Sequence, residues 1–526
     1  MLPNNLIKNA LISVSDKTNI VTIAKKLIKN EIKLFSTNGT ADILKKNNIP
    51  VTKISDYTKF PEIMNGRIKT LHPKIMGGIL RRTNKDEQIM KLYHIVPIDI
   101  VIVNFYPFEN KKTSMSQDNI NDAINNIDIG GPTLVRAAAK NYQNVIIIVD
   151  VNDINNIIAS IQNNTMDIKT RFNLASKAFA YTSSYEKIIS EYFIKNNNFN
   201  KQHNTNLFPK IIHFSFIKKQ DLRYGENHHQ KASFYVEQDI LPNGTISTAQ
   251  KIQGKTLSYN NIIDADIALE CVKEFKKPTC VIVKHGNPCG VSTSNCILDA
   301  YLSAYHADPI SSFGGIIAFN DILDIKTAQA IIDTQFIEVI IAPGIHILAE
   351  KILKTKKNIR ILITGEFKNN IKGLDLKRIT NGLLVQEYDI HDINHKKWTI
   401  VSQRIPTQIE LKDAIFCWTV AKFVKSNAIV YGRNQVTLSI GAGQMSRIDS
   451  TKLANIKAQD QGYNTFGATM ASDAFFPFRD GIDSAASIGI SCIIQPGGSI
   501  RDQEIIQSAN EHNIAMIFTN KRHFKH

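Results

Sequence analysis

The chain has 526 residues, of which 43% are hydrophobic and 21% charged, and its formal net charge is +16 at pH 7. This length exceeds what one hydrophobic core holds, so it predicts two to four domains, and the composition is that of a globular protein. No apolar run approaches the roughly 20 residues that span a bilayer, and the N-terminus lacks the pattern of a secretory signal, which favours a cytoplasmic location and no membrane partner.

The positive charge is spread along the chain rather than gathered in one run. A basic surface can bind nucleic acid, and a nucleic-acid-binding protein is the alternative to an enzyme. Lysine stands here among many Asn and Ile residues, and a coding bias toward these three would give the same charge without a polyanionic partner. The charge therefore favours pockets for small anionic substrates, phosphates in particular, and no nucleic-acid partner.

The first part of the chain alternates strand and helix patterns. Four short, apolar, β-branched runs predict strands buried on both faces, and they stand at residues 10–15, 33–37, 98–106 and 144–150. The segment 18–30 carries an apolar stripe at helical spacing, which predicts an amphipathic helix. Together these patterns predict an α/β domain with an open, mostly parallel sheet, whose ligands gather at the carboxyl ends of the strands.

Polar turns beside these strands suit an anionic ligand, and they stand at residues 36–40, 66–73, 127–131 and 139–141. The second turn holds two cations and a hydroxyl, Arg67, Lys69 and Thr70. The third begins a helix, where backbone N–H groups favour an anion. Lys140 in the fourth stands near that helix's end, where a surface lysine with no catalytic role is the alternative. Four such turns in one domain predict a nucleotide-like ligand.

A long helical pattern over residues 170–195 ends in the Asn-rich stretch 196–206. We place a boundary there, between a first domain of residues 1–198 and a second region of residues 199–526. In the second region, apolar runs predict strands at residues 280–285, 315–319, 339–344, 428–432, 436–441, 492–497 and 515–519. Residues 410–426 read as a helix. We expect a less regular α/β region in two lobes that divide near residues 360–400.

Lys284 and His285 leave the end of an apolar strand together and precede a rigid turn. Adjacent side chains on a strand point to opposite faces, but a turn can bring both into one site. The charge of Lys284 would favour a neutral His285, which is a competent general base near pH 7. A strand that simply ends in two solvated polar residues is an equally good interpretation of the local pattern.

Two further segments carry candidate binding residues. Residues 222–230 contain Arg223, whose planar fork suits phosphate, and a His pair that could ligate a metal. No carboxylate or cysteine set completes a metal site, so we predict none. Residues 472–480 place Asp473 before three phenylalanines, where a carboxylate beside apolar rings can orient a polar ligand, although the rings alone would suit a core loop.

The chain resembles the family of bifunctional phosphoribosylaminoimidazolecarboxamide (AICAR) formyltransferase / IMP cyclohydrolases. It carries motifs of that family in order: SVSDKT, GRIKTLHP, NFYPF, IDIGGPTLVRAAAKN, LRYGENHHQ, VKHGNPCG, ISSFGG, IIAPG, KSNAIVYG, GAGQMSRI and SDAFFPFRD. The resemblance implies an N-terminal cyclohydrolase domain with a methylglyoxal-synthase-like fold. It also implies a C-terminal transformylase region of two cytidine-deaminase-like α/β lobes.

The resemblance further implies the reaction and the partners. A formyl group would pass from the co-substrate 10-formyltetrahydrofolate to AICAR, giving FAICAR, which is then cyclised to IMP with release of water. These are the last two steps of purine nucleotide synthesis. The family is a homodimer whose transformylase sites lie across the subunit interface. No metal is required, although a monovalent cation has a place.

In the transformylase, the resemblance makes His285 the general base, with Lys284 beside it to tune charge and protonate the leaving group. Asn427 would bind the formyl oxygen. Arg223 and Tyr224 would hold the AICAR phosphate and ring. The other substrate-binding residues that we predict here are His229, Asn261, Phe313, Gly314, Glu338, the folate-site carboxylate Asp473, and Arg522, for which a disordered basic tail is the alternative.

In the cyclohydrolase, the resemblance assigns catalysis to Lys69, Tyr106, Asp128 and Lys140. Substrate binding falls to Ser13, Lys17, Thr37, Gly39, Thr40, Arg67, Thr70, Asn104, Gly130 and Gly131. Asn38 departs from the family, which usually has glycine there. Because Asn tolerates a left-handed backbone best after Gly, we expect the loop to survive with some strain.

Overall fold

The structure is a computed structural model, and it describes residues 7–64, 66–108, 117–163, 165–195, 208–237, 243–367, 373–390 and 395–526. The chain divides into two compact units, Met1–Ser215 and Phe216–His526. The Asn-rich stretch 196–206, where the sequence predicts a boundary, lies outside the described residues. The bounds 1–198 and 199–526 therefore stay a prediction.

The first unit contains one sheet of five parallel strands in the order β3-β2-β1-β4-β5. The strands are β1 (Asn9–Val14), β2 (Lys33–Ser36), β3 (Thr52–Lys53), β4 (Ile100–Asn104) and β5 (Ile146–Ile148). The helices are α1 (Ile20–Lys29), α2 (Asn38–Lys46), α3 (Ile54–Thr58), α4 (Pro73–Leu80), α5 (Glu87–Leu92), α6 (Gln117–Asn125), α7 (Gly130–Lys140), α8 (Ile154–Gln162) and α9 (Ile168–Lys195). A short 3₁₀ helix, Val151–Asp153, precedes α8.

This sheet confirms the four predicted strands and their parallel arrangement. The runs are continuous in apolar residues because helices cover both faces of a parallel sheet. The register pairs Val14 of β1 with Asn104 of β4, and Ile12 with Ser36 of β2. The carboxyl ends of the three central strands therefore share one edge, and the predicted turn at 36–40 follows the end of β2 there. The predicted turn at 139–141 instead ends α7 and precedes β5, so it lies at the opposite edge of the sheet.

The second unit contains a sheet of twelve strands and two separate hairpins, β6-β7 and β14-β15. The large sheet has the order β16-β21-β20-β19-β17-β18-β10-β9-β11-β12-β13-β8. The strands are β6 (Phe216–Leu222), β7 (Ala232–Glu237), β8 (Gln250–Gln253), β9 (Thr279–Lys284), β10 (Asn287–Thr293), β11 (Ile316–Phe319), β12 (Val339–Ala342), β13 (Arg360–Ile363), β14 (Leu374–Ile379), β15 (Gly382–Glu387), β16 (Thr399–Ile400), β17 (Ile429–Arg433), β18 (Val436–Gly441), β19 (Thr469–Ser472), β20 (Cys492–Gln495) and β21 (Ala515–Phe518).

Nine helices of the described residues in this unit pack against the sheet or connect its strands. They are α10 (Tyr259–Lys273), α11 (Ile297–Ala307), α12 (Pro309–Ser312), α13 (Ile325–Thr334), α14 (Ile347–Leu353), α15 (Gln408–Ala421), α16 (Arg447–Asp460), α17 (Asp480–Ser487) and α18 (Asp502–Glu511), with a 3₁₀ helix at His395–Lys397. All seven predicted strands and the predicted helix are confirmed, with the helix ending at Ala421.

The large sheet has two halves that repeat one arrangement. In each half a helix with an N-terminal capping box, α10 or α15, packs against an antiparallel hairpin, β9-β10 or β17-β18. The halves join where β10 pairs with β18 at Ser292 and Val436. The first half ends with β13 and the second begins with β16, so the hairpin β14-β15 stands between them in sequence.

Among the helices of the described residues, none is both long and apolar enough to cross a membrane.

Candidate active sites

In the first unit, an asparagine at the end of β4 holds the loop between β1 and α1. The side-chain oxygen of Asn104 accepts hydrogen bonds from the amides of Ser15 (2.6 Å) and Asp16 (2.9 Å), and its Nδ2 donates to the Asp16 carbonyl over 2.9 Å. In the same loop, Lys17 donates from Nζ to the Ser15 carbonyl over 3.1 Å. Ser13 is half-buried near the end of β1. Asn104 thus positions the loop that carries Lys17.

The first turn of α2 lies at the same edge of the sheet, and Thr37 is its N-terminal cap. Thr40 is buried, and its hydroxyl donates to the Val14 carbonyl over 3.3 Å, which ties the helix to the end of β1. Gly39 faces open space, because a Cβ added there would meet no atom within 4 Å. The N–H groups of a first helical turn have no partner within the helix, so this turn suits a phosphate.

The expected strain at Asn38 is wrong. Asn38 is the first residue of α2 and is not among the described residues with positive φ. Its amide donates to Glu62 Oε1 over 3.2 Å. A right-handed helical backbone is open to any residue with a Cβ, so asparagine in place of the family's usual glycine costs no backbone strain here.

Thr70, Asp128 and the two glycines that begin α7 lie in contact. The Gly131 amide donates to Asp128 Oδ1 over 2.8 Å. A Cβ added to Gly131 would lie 2.6 Å from Asp128 Oδ2, and one added to Gly130 would lie 2.9 Å from Thr70 Oγ1. Both positions therefore need glycine, because a larger residue would push the carboxylate or the hydroxyl away. A carboxylate and a hydroxyl thus meet at the positive end of a helix.

Lys69, Arg67 and Tyr106 are exposed side chains on the loops around this group. Lys69 folds back over its own loop, since a Cβ on Gly66 would lie 2.6 Å from Lys69 Cε. Arg67 donates from Nη2 to Asn125 Oδ1 of α6 over 2.5 Å. Tyr106 is 44% exposed directly after the end of β4. These three side chains are free to meet a ligand.

Lys140 does not join this group within one chain. It is the last residue of α7, whereas Gly130 is the first. At 1.5 Å per residue the helix separates the two positions by about 15 Å. The assignment of Lys140 to catalysis stays a prediction.

In the second unit, a half-buried carboxylate holds the turn of Lys284 and His285. Asp264 of α10 accepts the His285 amide at Oδ2 (3.1 Å) and the Gly286 amide at Oδ1 (2.7 Å). Burial raises the pKa of Asp264, and the two amide hydrogen bonds oppose that rise. His285 has φ 54°, and Gly286 follows with φ 76°. This left-handed pair turns the chain sharply after β9 and leaves the His285 side chain exposed.

Lys284 is fastened to the loop after α12. Its Nζ donates to the Phe313 carbonyl over 2.7 Å, and the Gly314 amide donates to the Phe336 carbonyl over 2.8 Å. The Phe313 ring is 58% exposed, at the surface beside the lysine. The structure therefore places Lys284, Phe313 and Gly314 next to one another, with the ammonium group bonded to the Phe313 carbonyl.

Asn261 and Glu338 form a second linked pair near the start of α10. Asn261 completes the capping box with Ser258, and its Nδ2 donates to Glu338 Oε2 over 2.8 Å. Arg360 approaches the same carboxylate oxygen at 3.5 Å. The Glu338 amide donates to the Gly315 carbonyl over 3.2 Å, next to the loop that holds Lys284. Asn261 and Glu338 thus border the Lys284 side of the site.

The Asn427 side chain is held by two partners in the second half of the sheet. Its Nδ2 donates to the Gln444 carbonyl over 2.9 Å, and its Oδ1 accepts from Arg447 Nη2 over 2.7 Å. Arg447 also donates to Ser472 Oγ over 2.7 Å and pairs with Asp473 Oδ1. Because Arg447 occupies the oxygen, the second hydrogen on Nδ2 is the part of the Asn427 amide left to donate to a ligand.

Asp473 is fully buried in this network, with 0% of its surface exposed. Its Oδ1 pairs with Arg447, while its Oδ2 has no hydrogen-bond partner among the described residues. Its predicted contact with folate stays a prediction, since in this structure the carboxylate contacts the arginine that holds Asn427.

The segments of His285 and Asn427 are directly linked. The Lys425 amide donates to Asn287 Oδ1 over 2.9 Å. The Lys425 side chain also lies beside Gly286, where an added Cβ would be 3.3 Å from Lys425 Cε. The turn after β9 and the segment before β17 are thus adjacent. His285, the predicted base, and Asn427, predicted to bind the formyl oxygen, therefore stand on neighbouring segments.

The C-terminal tail, residues 519–526, packs beside this place. The Ser426 amide donates to the Lys525 carbonyl over 2.9 Å, and the His523 amide donates to the Asp473 carbonyl over 3.2 Å. His523 is 4% exposed. Arg522 itself is exposed, and its guanidinium stacks 4.4 Å from the Phe524 ring. The alternative of a disordered basic tail is therefore wrong.

Arg223 and Tyr224 lie on the loop between β6 and β7. The Arg223 guanidinium stands 5.4 Å from the Tyr224 ring, which stacks 4.5 Å from the His228 ring on its other side. His229 is exposed. No described contact joins Arg223, Tyr224 or His229 to the turn of His285, so their part in the same site stays a prediction.

Comparison with known proteins connects both units to one enzyme family. A family model described as an AICARFT/IMPCHase bienzyme, an AICAR formyltransferase joined to an IMP cyclohydrolase, matches residues 138–457. A model of the MGS-like domain matches residues 19–133. The bifunctional purine biosynthesis protein PurH of Buchnera aphidicola subsp. Acyrthosiphon pisum (strain 5A) is 71% identical over 526 residues, covering 100% of both chains. The chain belongs to the AICARFT/IMPCHase bienzyme family.

A second relative of the same name agrees with this membership. The PurH protein of Buchnera aphidicola subsp. Schizaphis graminum (strain Sg) is 68% identical over 524 residues, covering 99% of each chain. A solved structure described as the crystal structure of ForH is 31% identical, with a TM-score of 0.33, and covers 36% of this chain and 98% of its own. The full-length match to PurH proteins means that this bienzyme carries both parts of the family's architecture.

Two residues of the bienzyme's second unit escaped sequence reasoning. Asp264 lies inside an amphipathic helix, where an acidic residue reads as part of a solvated face. Arg447 lies in the motif GAGQMSRI, which supported the resemblance but drew no role of its own. Both act over long sequence separations, 21 residues from Asp264 to His285 and 20 from Arg447 to Asn427. Both helices contain several polar residues, so no local pattern marked Asp264 or Arg447 as the partner of a site residue.

No cluster of three or more His, Cys, Asp or Glu side chains that could hold a metal occurs among the described residues.

Proposed function

We propose that this chain transfers a formyl group from 10-formyltetrahydrofolate to AICAR and then closes the product FAICAR to IMP with release of water. Membership of the bienzyme family supports both activities. The observation that carries the proposal is the bond from the Lys425 amide to Asn287 Oδ1, which joins the turn of His285 to the segment of Asn427. The alternative of a nucleic-acid-binding protein has no comparable support.

Formyl transfer would proceed by attack of the AICAR amine on the formyl carbon. His285, exposed at the tip of its turn, takes the proton of the amine as the new C–N bond forms. The formyl oxygen becomes negatively charged, and Asn427 Nδ2 donates to it with the hydrogen that Gln444 does not use. The bond to the folate nitrogen then breaks, and Lys284 supplies the proton to that nitrogen.

Ring closure would take place in the first unit. The carboxamide nitrogen of FAICAR attacks the formyl carbon and gives up one proton to the formyl oxygen. The formamide nitrogen then loses its proton as a C=N bond forms, and the oxygen, carrying both protons, leaves as water. Asp128 and Thr70 lie where they can contact the reacting groups at the N-terminus of α7, with Lys69 and Tyr106 on the adjoining loops. The first turn of α2 and Lys17 of the β1-α1 loop are placed to bind the substrate's phosphate.

The remaining features follow from the family resemblance. We infer that 10-formyltetrahydrofolate is the co-substrate, that the protein is a homodimer, and that it works in the cytoplasm. A homodimer would also allow Lys140 to serve a site other than that of its own chain, since α7 separates it from Asp128. A monovalent cation and the absence of a required metal stay predictions.

The direct test supplies purified protein with AICAR and 10-formyltetrahydrofolate. We expect tetrahydrofolate and IMP to form in equal amounts, with FAICAR as the intermediate. Tetrahydrofolate with accumulating FAICAR would contradict the second activity. Absence of both products, together with nucleic-acid binding that weakens by several log units over a few-fold rise in salt, would instead favour the alternative.

A further inference from the structure

Two tyrosines of the long helix α9 contact the ring-closure site without belonging to its predicted residues. Tyr181 and Tyr185 are four residues apart, so they lie on the same face of the helix. The Phe105 amide donates to the Tyr181 hydroxyl over 3.0 Å, and the Asp128 amide donates to the Tyr185 hydroxyl over 2.8 Å. Each hydroxyl therefore holds main chain at, or next to, a residue assigned to catalysis.

Ring packing reinforces both hydrogen bonds. The Phe105 ring lies 4.4 Å from the Tyr181 ring, nearly parallel at 24°, and 4.9 Å from the Tyr185 ring. Phe105 is 5% exposed, whereas the next residue, Tyr106, is 44% exposed. Anchoring Phe105 from α9 thus fixes the point from which the Tyr106 side chain projects into solvent.

The same contacts fix the start of α7. A Cβ on Gly131 would lie 3.0 Å from Phe105 Cδ1 and 2.6 Å from Asp128 Oδ2, so Phe105 packs directly behind the carboxylate. With its amide bonded to Tyr185 and its Oδ1 bonded to the Gly131 amide, Asp128 is held at both main chain and side chain. Burial raises the pKa of Tyr181 and of Tyr185, so both remain uncharged hydroxyls.

We propose that Tyr181 and Tyr185 are positioning residues for ring closure, which hold Tyr106 and Asp128 in their working geometry through the main chain of Phe105 and Asp128. This inference rests on the proposed cyclohydrolase function of the first unit. A small displacement of a catalytic group costs rate more than binding, because the reacting atoms must be aligned. The two hydroxyls should therefore affect kcat for ring closure more than the KM for FAICAR.

The test removes one oxygen at a time with Y181F and Y185F, which keep the rings that pack on Phe105. Tyr57 supplies a matched control, because its hydroxyl accepts the Val96 amide over 2.7 Å and its ring packs 5.2 Å from Phe35. Val96 precedes β4, at the end of that strand away from the site. Y57F therefore loses the same kind of hydrogen bond at a place where catalysis does not depend on it.

We expect Y181F and Y185F each to lower kcat for closure of supplied FAICAR about tenfold, the rate effect of one displaced group or lost hydrogen bond. KM for FAICAR and formyl transfer by the same preparation should change little. All three variants should lower the thermal midpoint by similar amounts, because each loses one hydrogen bond to a main-chain amide. Y57F should nevertheless leave kcat for ring closure unchanged. Ring-closure losses in Y181F and Y185F no larger than in Y57F would overturn the inference. Wild-type protein that fails to close FAICAR would instead overturn the proposed function, and the inference with it.

Discussion

Arg447 determines which end of the Asn427 amide can act on a ligand. It is 7% exposed and donates to Asn427 Oδ1, so the oxygen is occupied, while the nitrogen donates one hydrogen to the Gln444 carbonyl and keeps the other. Its charge is balanced by the fully buried Asp473. A buried arginine between an amide and a carboxylate cannot reorient cheaply, because any displacement would leave a charge unpaired. The site therefore presents a hydrogen-bond donor that is fixed before substrate binds.

Replacing Asn427 with Asp tests this donor. N427D keeps the size of the side chain and an oxygen for Arg447, but removes the N–H that would meet the formyl oxygen. We expect kcat for formyl transfer to fall about 100-fold, the usual cost of one oxyanion donor, and closure of supplied FAICAR to be unchanged. N381D, at the exposed turn between β14 and β15, is the control for the charge change. Formyl transfer within a few-fold of wild type in N427D would refute the role.

Single residues could be predicted from the sequence where a local motif carries them. Lys284, His285 and Asn427 stand in motifs that resemble the family, and the structure places their segments side by side. Asp264 and Arg447 could not be predicted, because their importance lies in partners about 20 residues away that only the fold brings near.

At the scale of elements, each half of the large sheet has a helix aspartate that accepts two amides of the turn after a strand. Asp264 of α10 accepts the amides of the turn after β9, and Asp413 of α15 accepts the Asn434 and Gln435 amides after β17, over 2.9 and 2.8 Å. In the first half that turn carries the proposed general base, His285. In the second half it carries two residues with no proposed role. The turn held by Asp413 therefore serves as a control for the turn held by Asp264.

We therefore expect D264N and D413N to diverge in activity. Each variant replaces one acceptor oxygen by an NH₂ group, which leaves a turn amide without its acceptor and lowers the thermal midpoint. D264N should also reduce kcat for formyl transfer about tenfold, because the turn that carries His285 loosens. D413N should leave kcat near wild type. Equal losses of formyl transfer in the two variants would show that the effect is general destabilisation.

Acid pH offers a second test of the same turn. Burial raises the pKa of Asp264, so the folded protein holds this proton more tightly than the unfolded chain. The group's contribution to stability is therefore present at low pH and is lost as pH rises through the folded pKa. The rate of formyl transfer should instead fall at low pH, because a protonated Asp264 carboxyl accepts the two turn amides less well.

The measurement is kcat for formyl transfer against pH, with the thermal midpoint at each point. In wild type we expect kcat to fall more steeply at acid pH as Asp264 becomes protonated. D264N, whose amide does not titrate, should lack that steepening, while D413N should retain it. An acid limb of the same steepness in wild type and D264N would contradict the account.

Elements were predictable where burial imposes one pattern on the sequence. The central strands β1, β4, β9 and β12 are continuous apolar runs, and their buried residues explain why. The hairpins β6-β7 and β14-β15 were not predicted, because they are largely exposed and their polar residues give no such signal. The pairing of β10 with β18 joins strands far apart in sequence, which no local pattern reveals.

At the scale of the whole molecule, the chain consists of two compact units with separate hydrophobic cores. The residues assigned to ring closure lie in the first unit, and those assigned to formyl transfer lie in the second. The Asn-rich stretch 196–206 after the long helical pattern predicted a boundary between two parts of the chain, and its exact bounds stay a prediction. The position of Lys140, at the far end of α7 from Asp128, could not be foreseen without knowing where the helix begins and ends.

Two sites in two units mean that one reaction can be removed without the other. The most direct measurement assays H285A for both steps, with AICAR and 10-formyltetrahydrofolate in one reaction and supplied FAICAR in the other. We predict that formation of tetrahydrofolate falls below detection while FAICAR is closed to IMP at the wild-type rate. Loss of both steps, or formyl transfer at the wild-type rate, would contradict the assignment of His285 to a separate transformylase site.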